Sequence, residues 1–371
     1  MKDERVKKLA HNLLHYSCNL QKGQNIIIEA SVEAKDLVKE LVREVYAIGG
    51  YPFVRLSDSE ISREVFMGMT ENQAKQMCKC TLPMFEDAAA YIGISSSYNQ
   101  FETADVPNEK KQIYSKFYSK PVHIDTRVCK TNWVILNYPN PALAQMAQMS
   151  TDVFEDFFFD VCTLDYSKMD KAMQQLKTLM EKTDKVRLVA PDTDLTFSIK
   201  GQPAIICSGK CNIPDGEIYT SPLKTSINGK IHFNIPSLYK GIVHNDITLE
   251  FRDGQVIRET SSNTKQLTAE LNVDAGARYV GEFAIGVNPY VTKPMYDTLF
   301  DEKMSGSIHM ALGNAYDDAP NGNQSQNHWD IVLSMTPENN GGQIYFDDVL
   351  IRDNGRFVLP ELQCLNPENL K

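Results

Sequence analysis

Glu217, Glu282, His309, His328 and Asp330 are the side chains of this sequence whose types suit one another as metal ligands. Imidazole and carboxylate together suit zinc, cobalt or manganese, and a carboxylate can bridge two ions. Four of the five fall in three short stretches: G-E-F-A-I-G-V-N-P at 281–289, G-S-I-H-M-A-L-G-N-A-Y at 306–316 and N-H-W-D-I-V-L at 327–333. Glu217 lies upstream, in the Pro/Gly turn I-P-D-G-E-I-Y-T-S-P at 213–222. In H-W-D, His328 and Asp330 are two residues apart, and on a strand such a pair shares a face, so both could bind one centre. Gly306, Gly313 and Gly322 punctuate the segment, as expected where strand ends turn into ligand-bearing loops. Each residue taken singly has a plainer explanation: a solvated Glu before a strand, or a satisfied His in the core. Periodicity alone does not join the five positions.

The elements that must position them fall into two textures. Apolar residues at Val6, Leu9, Leu13 and Leu14 have helical spacing over 4–17. A buried strand at 25–30, an amphipathic helix over 32–48 closed by Gly49–Gly50, and a strand at 51–56 make a β-α-β unit with parallel strands. The alternation continues with helix within 60–87, where Thr70 and Glu71 look like a start, strand 89–94, helix within 107–118, strand 131–138 and a helix opening at Pro141. The aromatic run F-E-D-F-F-F-D-V-C at 154–162 is expected to pack between domains, ahead of a long helix at about 167–183. From 186 onward strands are short and turns frequent: D-T-D at 192–194, I-N-G at 227–229, R-D-G at 252–254, N-N-G-G at 339–342 and D-N-G at 353–355. One helix, about 260–273, interrupts. The expectation is an α/β chain: an N-terminal α/β open-sheet domain, 1–185, followed by a β-rich C-terminal catalytic domain, 186–371, that carries every proposed ligand.

Composition excludes several partners. The formal net charge of −10 argues against nucleic acid. The opening M-K-D-E-R-V-K-K-L lacks the apolar core of a secretory signal, and no run of about 18 apolar residues is present to span a membrane. Eight scattered cysteines fit the reduced thiols of a cytosolic protein. Cys78-x-Cys80 and Cys207-x-x-x-Cys211 resemble zinc half-sites but lack partner pairs at structural spacing. The N-terminal half has neither G-x-G-x-x-G nor G-x-x-x-x-G-K-[ST], and G-I-S-S-S at 93–97 is a poor phosphate loop, which argues against a nucleotide-dependent oxidoreductase.

Four motifs together carry a resemblance. P-D-G-E-I-Y-T-S-P at 214–222, E-F-A-I-G-V-N at 282–288, H-M-A-L-G-N-A-Y at 309–316 and H-W-D at 328–330 resemble, in order, those of the aminopeptidase T / aminopeptidase S family of dinuclear metallopeptidases. The likeness covers nearly the whole chain and includes F-E-D-F at 154–157. It implies that Glu217, Glu282, His309, His328 and Asp330 are the ligands of two divalent ions (zinc, cobalt or manganese) and that Tyr316 is the active-site tyrosine. It also implies a homodimer acting on peptides with a free N-terminus, in addition to the cytoplasmic location that the cysteines suggest. The expected chemistry is attack on the first peptide carbonyl by a water that two ions activate. Glu217 and Glu282 share the roles of bridging ligand and general base, undivided by sequence, and Tyr316 serves the oxyanion or a proton. Asp317 or Asp318 could receive the substrate amine, although a solvated loop is the commoner explanation for such residues. The competing expectation is a catalytically silent relative that binds amino acids or peptides in the same cleft.

Overall fold

The computed structural model describes residues 3–371, which divide into two compact units. The first comprises the chain up to Thr163 together with Gly209–Ile213; the second comprises Leu164–Ser208 and Pro214–Lys371.

The first unit is built on a five-stranded parallel sheet, order β2-β1-β3-β4-β8: β1 (Asn25–Ser31), β2 (Tyr51–Ser57), β3 (Ala90–Ser95), β4 (Asn132–Asn137) and β8 (Asn212–Ile213). Ile26, Ile27 and Ile28 are all fully buried, so β1 is covered on both faces and reads as a continuous apolar run. Helix α1 (Glu4–His11) widens into a π-helical turn at Asn12–Ser17, within the span that reads as one helix. Helix α2 (Lys35–Ile48) stops at Gly49, whose left-handed φ of 85° closes it. The helical stretch expected within 60–87 is two helices, α3 (Ser59–Gly68) and α4 (Glu71–Glu86). The break follows from capping: the Thr70 side chain accepts from the Gln73 N–H and starts a new helix. Helix α5 (Asn108–Tyr114) runs on as a π-helix to Val128. Helices α6 (Pro141–Met146) and α7 (Thr151–Cys162) complete the unit, and the aromatic run of α7 buries Phe154, Phe158 and Phe159.

The second unit opens with α8 (Tyr166–Lys182) and holds two larger antiparallel sheets. One has eight strands in the order β14-β13-β10-β6-β5-β18-β19-β20. They are β5 (Lys185–Ala190), β6 (Thr193–Ser198), β10 (Asn228–Phe233), β13 (Ile247–Arg252), β14 (Gln255–Thr260), β18 (Gln343–Phe346), β19 (Val349–Asp353) and β20 (Arg356–Phe357). The other has the order β17-β16-β15-β9-β7: β7 (Ile205–Cys207), β9 (Glu217–Thr220), β15 (Val280–Gly286), β16 (Ser307–Gly313) and β17 (His328–Ser334). A small hairpin, β11 (Ser237–Tyr239) with β12 (Ile242–His244), lies by β17, where Tyr239 stacks on Trp329 at 4.3 Å. The two larger sheets meet at Phe197 and Phe283, whose rings contact edge-on at 4.9 Å.

The turns at Asp253–Gly254 and Asn354–Gly355 close hairpins as their residues demand. N-N-G-G at 339–342 does not. It begins in the last residue of a 3₁₀ turn and passes the chain from β17 to β18 in the other sheet. The hairpin between β18 and β19 turns instead on Asp347 and Asp348, both at positive φ, a conformation that aspartate tolerates at a two-residue turn. I-N-G at 227–229 opens β10, where a Cβ on Gly229 would meet the Asp194 carbonyl oxygen at 2.2 Å. The helix expected at about 260–273 is α9, Thr264–Leu271. Among the described residues no helix is long and apolar enough to cross a membrane.

Candidate metal centre

Strand alternation explains why both β15 and β16 are buried at every residue yet carry polar groups. Ile308, Met310 and Leu312 of β16, with Trp329, Ile331 and Leu333 of β17, point to the apolar face. The opposite face carries the candidate ligands. Register places Glu282 across from Ala311, and Ala311 across from Asp330. His309 is two residues before Ala311 on the same face, and His328 pairs with Gly313. Glu217 stands across from Gly286 on the outer side of β15. The five side chains thus rise from four adjacent strands around small neighbours: Ala284, Gly286, Ala311 and Gly313.

A register shift between Val280 and Glu282 sets this alignment. The residue inside it is Gly281, where a Cβ would stand 2.1 Å from the Asn314 carbonyl oxygen. At the other end, buried Arg352 donates to the carbonyls of Gly286, Ser307 and Gly355 at 2.9–3.0 Å. That guanidinium holds the ends of β15 and β16 together.

The side chains converge. His309 Nε2 lies 3.2 Å from Glu282 Oε1, 3.6 Å from Glu217 Oε2 and 3.8 Å from Asp330 Oδ1. His328 Nε2 lies 3.3 Å from Glu282 Oε2 and 3.4 Å from Asp330 Oδ1. Each histidine donates its Nδ1–H to a backbone carbonyl, His309 to Glu302 at 3.1 Å and His328 to Asn314 at 2.9 Å. A carbonyl can only accept, so Nδ1 carries hydrogen in both rings and Nε2 is the atom presented to an ion. Two ligand triads result, Glu217–Glu282–His309 and Glu282–His328–Asp330, each with its ligand atoms within 4.8 Å of one another. Glu282 belongs to both. Glu217 Oε2 is buried without a hydrogen-bond partner, a costly state that a cation would relieve. The donor set therefore fits divalent ions with oxygen and nitrogen preferences.

A family model described as thermophilic metalloprotease (M29) matches residues 2–357. The chain belongs to the M29 metalloprotease family. Among its relatives, aminopeptidase PepS of Streptococcus thermophilus is 26% identical, covering 96% of this chain and 98% of the relative. Aminopeptidase T of Thermus aquaticus is 24% identical over 84% of this chain and 85% of the relative. The solved structure of wild-type AmpT from Thermus thermophilus superposes with a TM-score of 0.82 at 21% identity, covering 96% of this chain and 99% of that one, which shows the M29 fold.

The candidate centre holds charged groups that sequence reading passed over. Lys303 is fully buried, with its Nζ 2.5 Å from Glu217 Oε1, 2.7 Å from Glu302 Oε1 and 3.6 Å from Asp215 Oδ1. Glu302 also forms a ligand group with His309 and Asp330. D-E-K at 301–303 gives no hydropathy signal; Asp301 is buried too, accepting from the Met295 N–H. Asp215, two residues before Glu217, was visible only as part of the turn motif.

Burial pushes Glu217 up to about 8 against the pull of Lys303. Burial also works against ionised Glu282, but hydrogen bonds from His309 and His328 outweigh it and hold that carboxyl below its ordinary range. Tyr316 is raised, first by burial and then by the surrounding carboxylates, so its phenol remains a proton donor. Its ring lies 4.5 Å from that of His328, and the residue is 45% exposed, at the open side of the cluster. Asp318 accepts from the Tyr219 hydroxyl at 2.9 Å, and the Tyr219 ring lies 5.7 Å from Tyr316. Asp317 is exposed.

Proposed function

We propose that this M29 protein is a metal-dependent aminopeptidase that removes the N-terminal residue from peptides, with Glu217, Glu282, His309, His328 and Asp330 as ligands of two divalent ions. The observation that carries the reading is Glu282, whose two oxygens reach different histidines and which is common to both triads. Charge supports the count of two. Five carboxylates (Asp215, Glu217, Glu282, Glu302 and Asp330) are balanced by the Lys303 ammonium and two divalent ions. The relatives' names, aminopeptidase PepS and aminopeptidase T, support the reaction class.

Zinc, cobalt or manganese held there would supply an activated water and polarise the scissile carbonyl. The chain's own groups do the rest. Glu282 bridges. Lys303 fixes one oxygen of Glu217 and leaves the other aimed at the centre. Tyr316 donates its hydroxyl hydrogen to the oxyanion that develops on the carbonyl. Asp318, steadied by Tyr219, receives the free α-ammonium of the substrate. We place the protein in the cytoplasm, consistent with free buried thiols at Cys18 and Cys162, and as a homodimer by its likeness to the family.

The test is turnover of aminoacyl-p-nitroanilides and short peptides, abolished by a chelator and restored by zinc, cobalt or manganese. N-acetylated peptides should remain intact. A protein that carries its ions yet cleaves nothing in a broad panel would be the silent binding relative instead.

A further inference from the structure

The first unit contains a second group of metal-ligating side chains, none of them part of the M29 centre. His11 is the last residue of α1, and His15 lies in the π-helical turn that follows. Side chains four apart on a helical segment share a face, here at the point where α1 passes into the π turn. The two rings meet at a centroid distance of 4.1 Å. One oxygen from α2, Glu44 Oε1, lies 3.1 Å from His11 Nδ1 and 2.9 Å from His15 Nε2. All three ligand atoms fall within 4.8 Å of one another.

We propose that His11, His15 and Glu44 form a structural site for a divalent transition ion (zinc, copper or nickel) that clips α1 to α2. Two imidazoles and one carboxylate are a donor set these ions accept, and paired histidines four apart on one helix face are a known way to supply two of them. The side chains are 60%, 42% and 34% exposed, which lets an ion enter and leaves its fourth position to water. Residues four apart share a face in a regular α-helix as well, so the pairing follows from the spacing of His11 and His15, and the turn at Asn12–Ser17 keeps it. The same exposure makes the site a clip and not a second catalytic centre, because no buried base or shielded cleft accompanies it. An ion there ties the helix nearest the N-terminus to the helix packed against the first sheet, and stabilises the unit by mass action.

The experiment measures zinc per chain after saturation and removal of excess, in wild type and in His11→Gln/His15→Gln. These side chains lie at the surface, so the double variant should fold and keep full peptidase activity. Wild type is expected to hold one equivalent more than the variant. Copper-loaded wild type should show nitrogen hyperfine splitting from two imidazoles, lost in the variant. Zinc should slow proteolysis within residues 4–17 in wild type only. Equal zinc content in the two proteins overturns the proposal. The comparison is independent of the M29 centre: failure of that reading would lower both totals and leave the difference between them intact.

Discussion

Glu282 and Asp330 face each other across the methyl group of Ala311, each paired with it in register from a flanking strand. The space between the two carboxylates exists because the residue between them is small. Ala311→Leu should fill it. The packing cost of such an insertion is about 1–3 kcal/mol, so the protein should still fold. Metal content and turnover should both collapse, as read by elemental analysis beside a thermal melt. Full metal occupancy in this variant would mean that the ions lie elsewhere.

Glu282→Gln keeps size and removes charge. Loss of the shared carboxylate should lower kcat by at least about 100-fold, the scale of a missing general base, and reduce metal content, with circular dichroism unchanged. Near-normal turnover would remove Glu282 from the centre.

Tyr316→Phe separates donor from ligand. The ring contact with His328 survives, and only the hydroxyl goes. Expected are full metal content, an unchanged KM and a kcat lower by roughly 100- to 1,000-fold, the effect of one lost oxyanion donor. Wild-type kcat with both ions present would leave the tyrosine a packing role.

Metal removal should interact with pH in a definite direction. In the metal-stripped protein, burial disfavours the charged rings, but Glu217 and Glu282 hold His309 up at about 10, and Asp330 and Glu282 hold His328 up at about 12. A raised basic group contributes stability that is complete below its unfolded value of about 6.5 and is lost as pH climbs through the folded value. Ions compete with the same protons, so metal affinity rises over the same span. The difference in Tm between loaded and stripped protein should therefore widen from about pH 6.5 to about pH 9. A constant difference across that range would contradict the exchange of protons for ions.

Lys303→Met leaves Asp215, Glu217 and Glu302 without their common ammonium. Breaking a buried ion pair on one side costs about 3–5 kcal/mol, and Tm should fall accordingly. Saturating divalent metal should recover part of the loss. A melting curve indistinguishable from wild type would show that the ammonium is not needed to balance the cluster.

Periodicity and motif likeness made a good part of this legible. The β-α-β opening could be read from Ile26–Ile28 and the amphipathic helix, because a strand covered on both faces has a distinctive run of branched residues. His328 and Asp330 were readable as neighbours from their spacing alone. Glu217 was not, because its approach to β15 depends on a pairing between strands far apart in sequence; its residue type made it a candidate and only motif likeness joined it to the others. Lys303 and Glu302 were invisible for a different reason. A buried charge looks like an exposed one until its partners are known, and those partners come from 215, 217 and 330. Hairpin reading failed at N-N-G-G because turn residues report a reversal, not which sheet receives the next strand.

The strand β8 completes the first sheet from Gly209–Ile213, after the chain has already laid down β5, β6 and β7 of the second unit. A nascent chain therefore cannot finish its first unit when residue 163 leaves the ribosome. That unit must wait with an open sheet edge beside β4 while roughly fifty more residues are made, at about 5–20 residues per second. When the edge is finally covered, Glu217 is only a few residues behind, so completion of one unit and delivery of the earliest candidate ligand to the other are nearly one event in the life of the chain.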